Sequence, residues 1–191
     1  MTRRWGKRGA SSSSPGVAAV AATLPVTYCV GWNKVLNQPF QPLSEAEARR
    51  RHETGELYSA LLGDPAAPQV LVEVRLETGY VAAHFFDDRL RRFASYIYEE
   101  RDGKLFFDSY SERWWDRKGA LRSTVGYRFE PDGHAYVRNV DRVKNVEDTY
   151  EQWVTVDDNW EEIPAFGDYS GVLRIERDIH PLDAPPGSPS D

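Results

Sequence analysis

FASYIYEERDGKLFFDSYSERWWDRKGALRSTVGYRF, residues Phe93 to Phe129, decides how this chain is organised. It reads as three β-strands joined by tight turns, and it carries much of the aromatic content. Arg101-Asp102-Gly103-Lys104 separates two runs rich in Phe, Tyr and Ile. Asp-Gly between such runs signals a hairpin, because glycine tolerates positive φ. Phe93 to Glu99 and Lys104 to Trp114 are therefore the expected strands of a central hairpin. Leu121 to Phe129 follows, and Glu130-Pro131-Asp132-Gly133 turns it into His134 to Val140.

On the N-terminal side, Val70 to Leu76 and Tyr80 to Phe86 flank Glu77-Thr78-Gly79 as a second hairpin, with Asp87 to Arg92 as the connection onward. Val26 to Trp32 is β-branched and aromatic and reads as a first strand. Asn33 to Pro42, punctuated by two prolines, reads as a loop. A helical segment is expected near 44–62: Ser44 caps it, Glu47 holds the capping-box position, and Arg49, Arg50, Arg51 and His52 suit the negative C-terminal end. Gly55 interrupts it, and Glu56 to Leu62 adds one or two turns before Gly63-Asp64-Pro65. Thr149 to Val156 is a late strand, Trp160 to Tyr169 is irregular, and Val172 to Arg177 is a last edge strand or a short helix. The fold class is thus mainly β with a short helical segment (α+β): an antiparallel meander of about seven to nine strands forming a curved sheet or barrel-like domain.

The 191 residues suit one domain, and 40% hydrophobic with 13% aromatic residues can build a core. Residues 1–24 are expected to be a disordered basic, Ser- and Ala-rich leader, 25–180 the β-rich domain, and 181–191 a disordered Pro-rich tail. The formal charge of −6 argues against a nucleic-acid backbone as partner. The single Cys29 excludes an internal disulfide and a cysteine-cluster metal site. No apolar run approaches the roughly 18 residues that span a bilayer. The expected location is the cytoplasm, with export through the basic-then-apolar N-terminal segment as the lesser reading.

Strand alternation places Phe106, Asp108, Tyr110, Glu112 and Trp114 on one face of the central hairpin. Tyr96 and Tyr98 are expected to join them from the neighbouring strand. This face offers rigid aromatic rings and negative charge, which fits a basic protein partner or a cationic small molecule. His84, a further candidate binding residue, is the one histidine inside an apolar strand run, on the side of Tyr80, Ala82 and Phe86. No histidine pair has metal-ligand spacing, and no metal or cofactor is implied. The chain contains no G-x-S-x-G, no P-loop and no G-x-G-x-x-G.

Three readings follow. The first is a non-catalytic binding protein holding a protein partner on the aromatic and acidic face; as a small acidic β-domain without a catalytic motif, the chain resembles in general character the immunity proteins that neutralise bacterial toxins. The second is a β-barrel binding a small molecule, although Gly31 directly precedes Trp32 where lipocalin-type barrels place Gly-x-Trp. The third is an enzyme using His84 with Asp108 or Glu112 in a barrel lumen. The first is the reading preferred from the residues.

Overall fold

The computed structural model describes residues 24–33, 35–175 and 177–183, so the expected leader up to Thr23 and residues 184–191 lie outside the described residues. The fold is mostly antiparallel β-sheet with one short helix among these residues. The strands are β1 (Val26–Asn33), β2 (Gln38–Leu43), β3 (Tyr58–Asp64), β4 (Ala67–Arg75), β5 (Tyr80–Phe86), β6 (Arg92–Arg101), β7 (Lys104–Trp115), β8 (Leu121–Phe129), β9 (His134–Asp141), β10 (Val146–Val154), β11 (Trp160–Glu161) and β12 (Pro181–Leu182). Strands β3 to β10 form an uninterrupted meander, each paired with the next; β1 lies beside β3 and β2 beside β1. The path runs from β12 and β10 at one end to β2 at the other, so among the described residues the sheet is open and no barrel lumen forms. Prolines blunt both ends: Pro39 and Pro42 in β2, Pro181 in β12. A proline cannot donate to a ladder and is tolerated at such edges, at strand starts and at bulges.

Two expected elements differ. Residues 38–43 form edge strand β2 and not a loop, because edge position makes their prolines harmless. The helical segment ends early: α1 covers Glu45–Thr54, and 58–64 are strand β3. Ser44 Oγ caps the Glu47 amide, and Gly55 terminates the helix in the left-handed region. Tyr58 to Gly63 are then buried at every position. A central strand covered on both sides shows no alternation and imitates a helix face in sequence.

The register separates two faces. Tyr58, Val72, Ala83 and Tyr96 face one way, and the main core forms there. Helix α1 covers part of this face through Ala48 and His52, whose ring meets Tyr58. The segment after β11 crosses the rest as a strap, seated by Tyr169, Val172, Leu173 and Ile179. Among its described residues at 172–177 neither a strand nor a helix forms, in contrast to the expectation for that stretch. Tyr98 Oη donates to the Val172 carbonyl at 2.9 Å, and the Tyr58 and Tyr169 hydroxyls meet at 3.2 Å. Pro181 and Leu182 pair with β10, so the first residues of the expected tail are part of the sheet. The opposite face carries a smaller cluster of Cys29, Leu61 and Leu71, packed by Trp32 and Phe86.

The β6–β7 turn has positive φ at both central residues, 54° at Asp102 and 79° at Gly103, the geometry whose twist matches the strands. A Cβ at Gly103 would meet no atom of the described residues within 4 Å. Gly103→Val is therefore expected to cost only the left-handed backbone penalty, about 1–2 kcal/mol, read as a lowered melting temperature with an unchanged β spectrum.

Candidate functional site

A β-bulge reorganises the central hairpin. Ile97 pairs with Ser109 while Tyr98 pairs with Phe107, which leaves Asp108 as the extra residue on β7. One inserted residue reverses the alternation that follows it. Tyr110, Glu112 and Trp114 therefore share the core-side face with Tyr96, Tyr98 and Phe107, and Asp108 does not. Asp108 is 7% exposed and sits 3.6 Å from Arg101 across the hairpin end. Burial, then Glu99, raise its pKa, and Arg128 and Arg101 oppose the shift. A raised folded-state pKa means the carboxylate costs stability above that pKa, and the cost is relieved as pH falls through it. Asp108→Asn is expected to leave stability unchanged or raise it by up to about 1 kcal/mol at neutral pH, with the gain vanishing in urea titrations at about pH 4.

On the core-side face, pairing lines up one row across five strands. Tyr96 faces Tyr110, Tyr110 faces Tyr127, Tyr127 faces Val137, and Val137 faces Tyr150. Ring centroids are 5.3 Å apart for Tyr96 and Tyr110, and 6.1 Å for Tyr110 and Tyr127. The row opens outward: Tyr96 is buried, Tyr110 and Tyr127 are half-buried, and Tyr150 is 46% exposed. An open groove of about 720 Å³ is lined by Tyr127, Val137 and Tyr150 and by residues of the two flanking rows, Arg128, Arg138 and Glu151 among them. The adjacent row runs Ala94, Glu112, Val125, Asn139, Asp148 and places two carboxylates beside the rings. Tyr110 Oη donates to Glu112 Oε2 at 2.8 Å. Burial and the neighbouring carboxylate push the Tyr110 pKa up, and burial followed by Tyr150 and Glu112 pushes Tyr127 to about 12. The phenols stay neutral at any physiological pH. Neutral aromatic rings aligned beside a carboxylate are an arrangement that suits a cation.

Trp114 lies on this face and is 43% exposed. Tyr98 belongs to it by register but is covered by the strap, where Arg177 Nη2 donates to its hydroxyl at 2.9 Å. Alternation along the central hairpin does not single out Tyr127, Tyr150 or Asp148, which the structure adds to the site. Their signal is the register of two further hairpins, which can be counted onward from Gly133.

His84 stands on the opposite face. Its Nδ1 meets Ser95 Oγ at 3.1 Å and its Nε2 meets Glu73 Oε2 at 3.2 Å, while Tyr80 Oη donates to the same carboxylate at 3.4 Å. Neither Asp108 nor Glu112 bonds it, so the grouping of the third reading is not joined by hydrogen bonds. Ser95 sits mid-strand, where backbone N–H groups are used in the ladders and leave no pair of donors for an oxyanion. The grouping around His84 is a partly buried polar network that links three strands. Among the described residues no group of three His, Cys, Asp or Glu side chains can hold a metal ion, and no helix is long and apolar enough to cross a membrane. No family model, curated protein or solved structure matches this chain, so the site rests on its geometry alone.

Proposed function

We propose that the protein is a non-catalytic binding module, of the immunity-like or accessory kind, that receives a basic side chain of a protein partner on the tyrosine row. The observation that carries this reading is the alignment of Tyr96, Tyr110, Tyr127 and Tyr150 across the sheet, with Glu112 and Asp148 in the neighbouring row. A cation held over a tyrosine face gains about 0.5–2 kcal/mol depending on its desolvation, and two or three rings with a carboxylate make a specific contact. The rings sit on paired strands, so little ordering is needed on binding. Because the row opens to solvent at Tyr150, an extended basic segment fits it better than an enclosed small molecule; a small cationic ligand is the second occupant of the same chemistry.

The test uses a hexaarginine peptide and calorimetry. The unmodified protein should bind it with an affinity that falls as salt rises. Tyr127→Ala combined with Tyr150→Ala should weaken binding roughly tenfold or more while the melting temperature stays within a few degrees, since both side chains are partly exposed. Equal affinity in the double variant would remove the support for this reading.

A further inference from the structure

The opposite end of the central hairpin has reversed electrostatics. Residues 87–92, linking β5 to β6, and 113–122, the end of β7 with its turn into β8, carry seven cations against three carboxylates, a net of +4 in a chain of net −6. The two connections are tied together, because Arg89 Nη1 donates to the Arg117 carbonyl at 3.0 Å. Two of the three carboxylates are already used: Asp87 pairs with Arg91 and Asp116 with Arg122. Arg92 and Arg113 have no ion-pair partner among the described residues. They also repel each other: burial and then Arg92 lower the pKa of Arg113.

A second observation comes from hydrogen bonding. Three side-chain N–H groups at this corner are buried without an acceptor among the described residues: Arg91 Nη1, Arg113 Nη1 and Trp115 Nε1. Arg91 lies over the Trp115 ring at 5.3 Å, and Arg113 and Trp115 are two apart on one strand, on the same side. Buried donors without partners are rare and costly, and two unneutralised guanidinium groups close together add repulsion. One group relieves both: an anion with several acceptor oxygens. Guanidinium forks match phosphate oxygens in geometry and charge.

We propose that the corner formed by Arg92, Arg113, Arg91 and Trp115 is a binding site for a phosphate group. Arg92 and Arg113 supply the charge, and the Trp115 indole with Arg91 supplies directional donors. The site lies apart from the tyrosine row and is independent of it.

Inorganic phosphate is the probe. At matched ionic strength, phosphate but not chloride should raise the melting temperature by about 2 °C or more at tens of millimolar, the stabilisation expected when a ligand binds only the folded state. It should also shift the Trp115 indole and the Arg92 and Arg113 Nε–H resonances. Arg113→Met keeps the aliphatic packing and should weaken phosphate binding roughly tenfold or more, as should Arg92→Met, which serves if the first variant fails to fold. Arg138→Met, removing an arginine paired with Glu147 elsewhere, should leave phosphate binding unchanged. Equal stabilisation by chloride, or undiminished phosphate binding in both corner variants, would overturn the site. So would binding of a single-stranded oligonucleotide through these arginines with no response to phosphate, which would make the corner a polyanion surface.

Discussion

Arg177→Ala is expected to cost about 3–5 kcal/mol and to release the strap that closes the core. The Arg177 side chain is 2% exposed and sits among aromatic residues. Its guanidinium lies 4.6 Å above Phe107 and donates to Tyr98 Oη at 2.9 Å, to the Asp158 carbonyl at 2.6 Å and to Glu161 Oε1 at 3.0 Å. Removing it leaves the Tyr98 hydroxyl and Glu161 short of a donor in a dry region, and opens the space over Phe107. Arg174 keeps its own bonds to Asp158 and Glu161, which limits the loss. Arg177→Lys should recover only part, since an ammonium cannot reach three acceptors in one plane. Urea unfolding followed by tyrosine fluorescence measures it; a loss below about 1 kcal/mol would mean that apolar contacts alone hold the strap.

Gly55→Ala is the second large effect, with an expected cost of about 2–3 kcal/mol. Gly55 ends α1 at φ 78°, and its carbonyl accepts from the Glu77 amide at 2.9 Å. A Cβ there would lie 2.8 Å from the Glu77 nitrogen and 3.2 Å from its Cα, both backbone atoms that cannot rotate away. The left-handed penalty of about 1 kcal/mol is thus joined by a collision that separates the helix end from the turn Leu76–Thr78. Gly103→Ala, at similar φ but in open space, is the control, and the difference between the two melting temperatures isolates the collision.

The architecture is legible in the sequence wherever local chemistry decides it. The Asp102-Gly103 and Gly133 turns and the alternating runs around them are dictated by neighbouring residues, so the strands from β4 to β9 and the Ser44 cap can be placed directly. What is not legible depends on tertiary context. β3 hides because a strand buried on both sides loses its period, and β2 hides because its prolines are acceptable only at an edge. The site depends on one residue. The bulge at Asp108 cannot be read from the alternation of β7 alone, since it is set by pairing with β6, and it moves Asp108 off the face that Tyr110, Glu112 and Trp114 share. Arg177 is invisible for a different reason: its partner Tyr98 lies 79 residues away in sequence. A double substitution of Asp108 with Tyr110 therefore mixes the two faces, and Tyr127 with Tyr150 is the pair that isolates one.

The most direct measurement is tyrosine-ring NMR during a titration with the hexaarginine peptide. Shifts should concentrate in Tyr110, Tyr127 and Tyr150, with silence from Tyr28 and Tyr58 under the helix and loss of the response in Glu112→Gln, and with salt-dependent midpoints throughout. Unmoved Tyr127 and Tyr150 rings, with shifts instead scattered over exposed carboxylates across the surface, would contradict it.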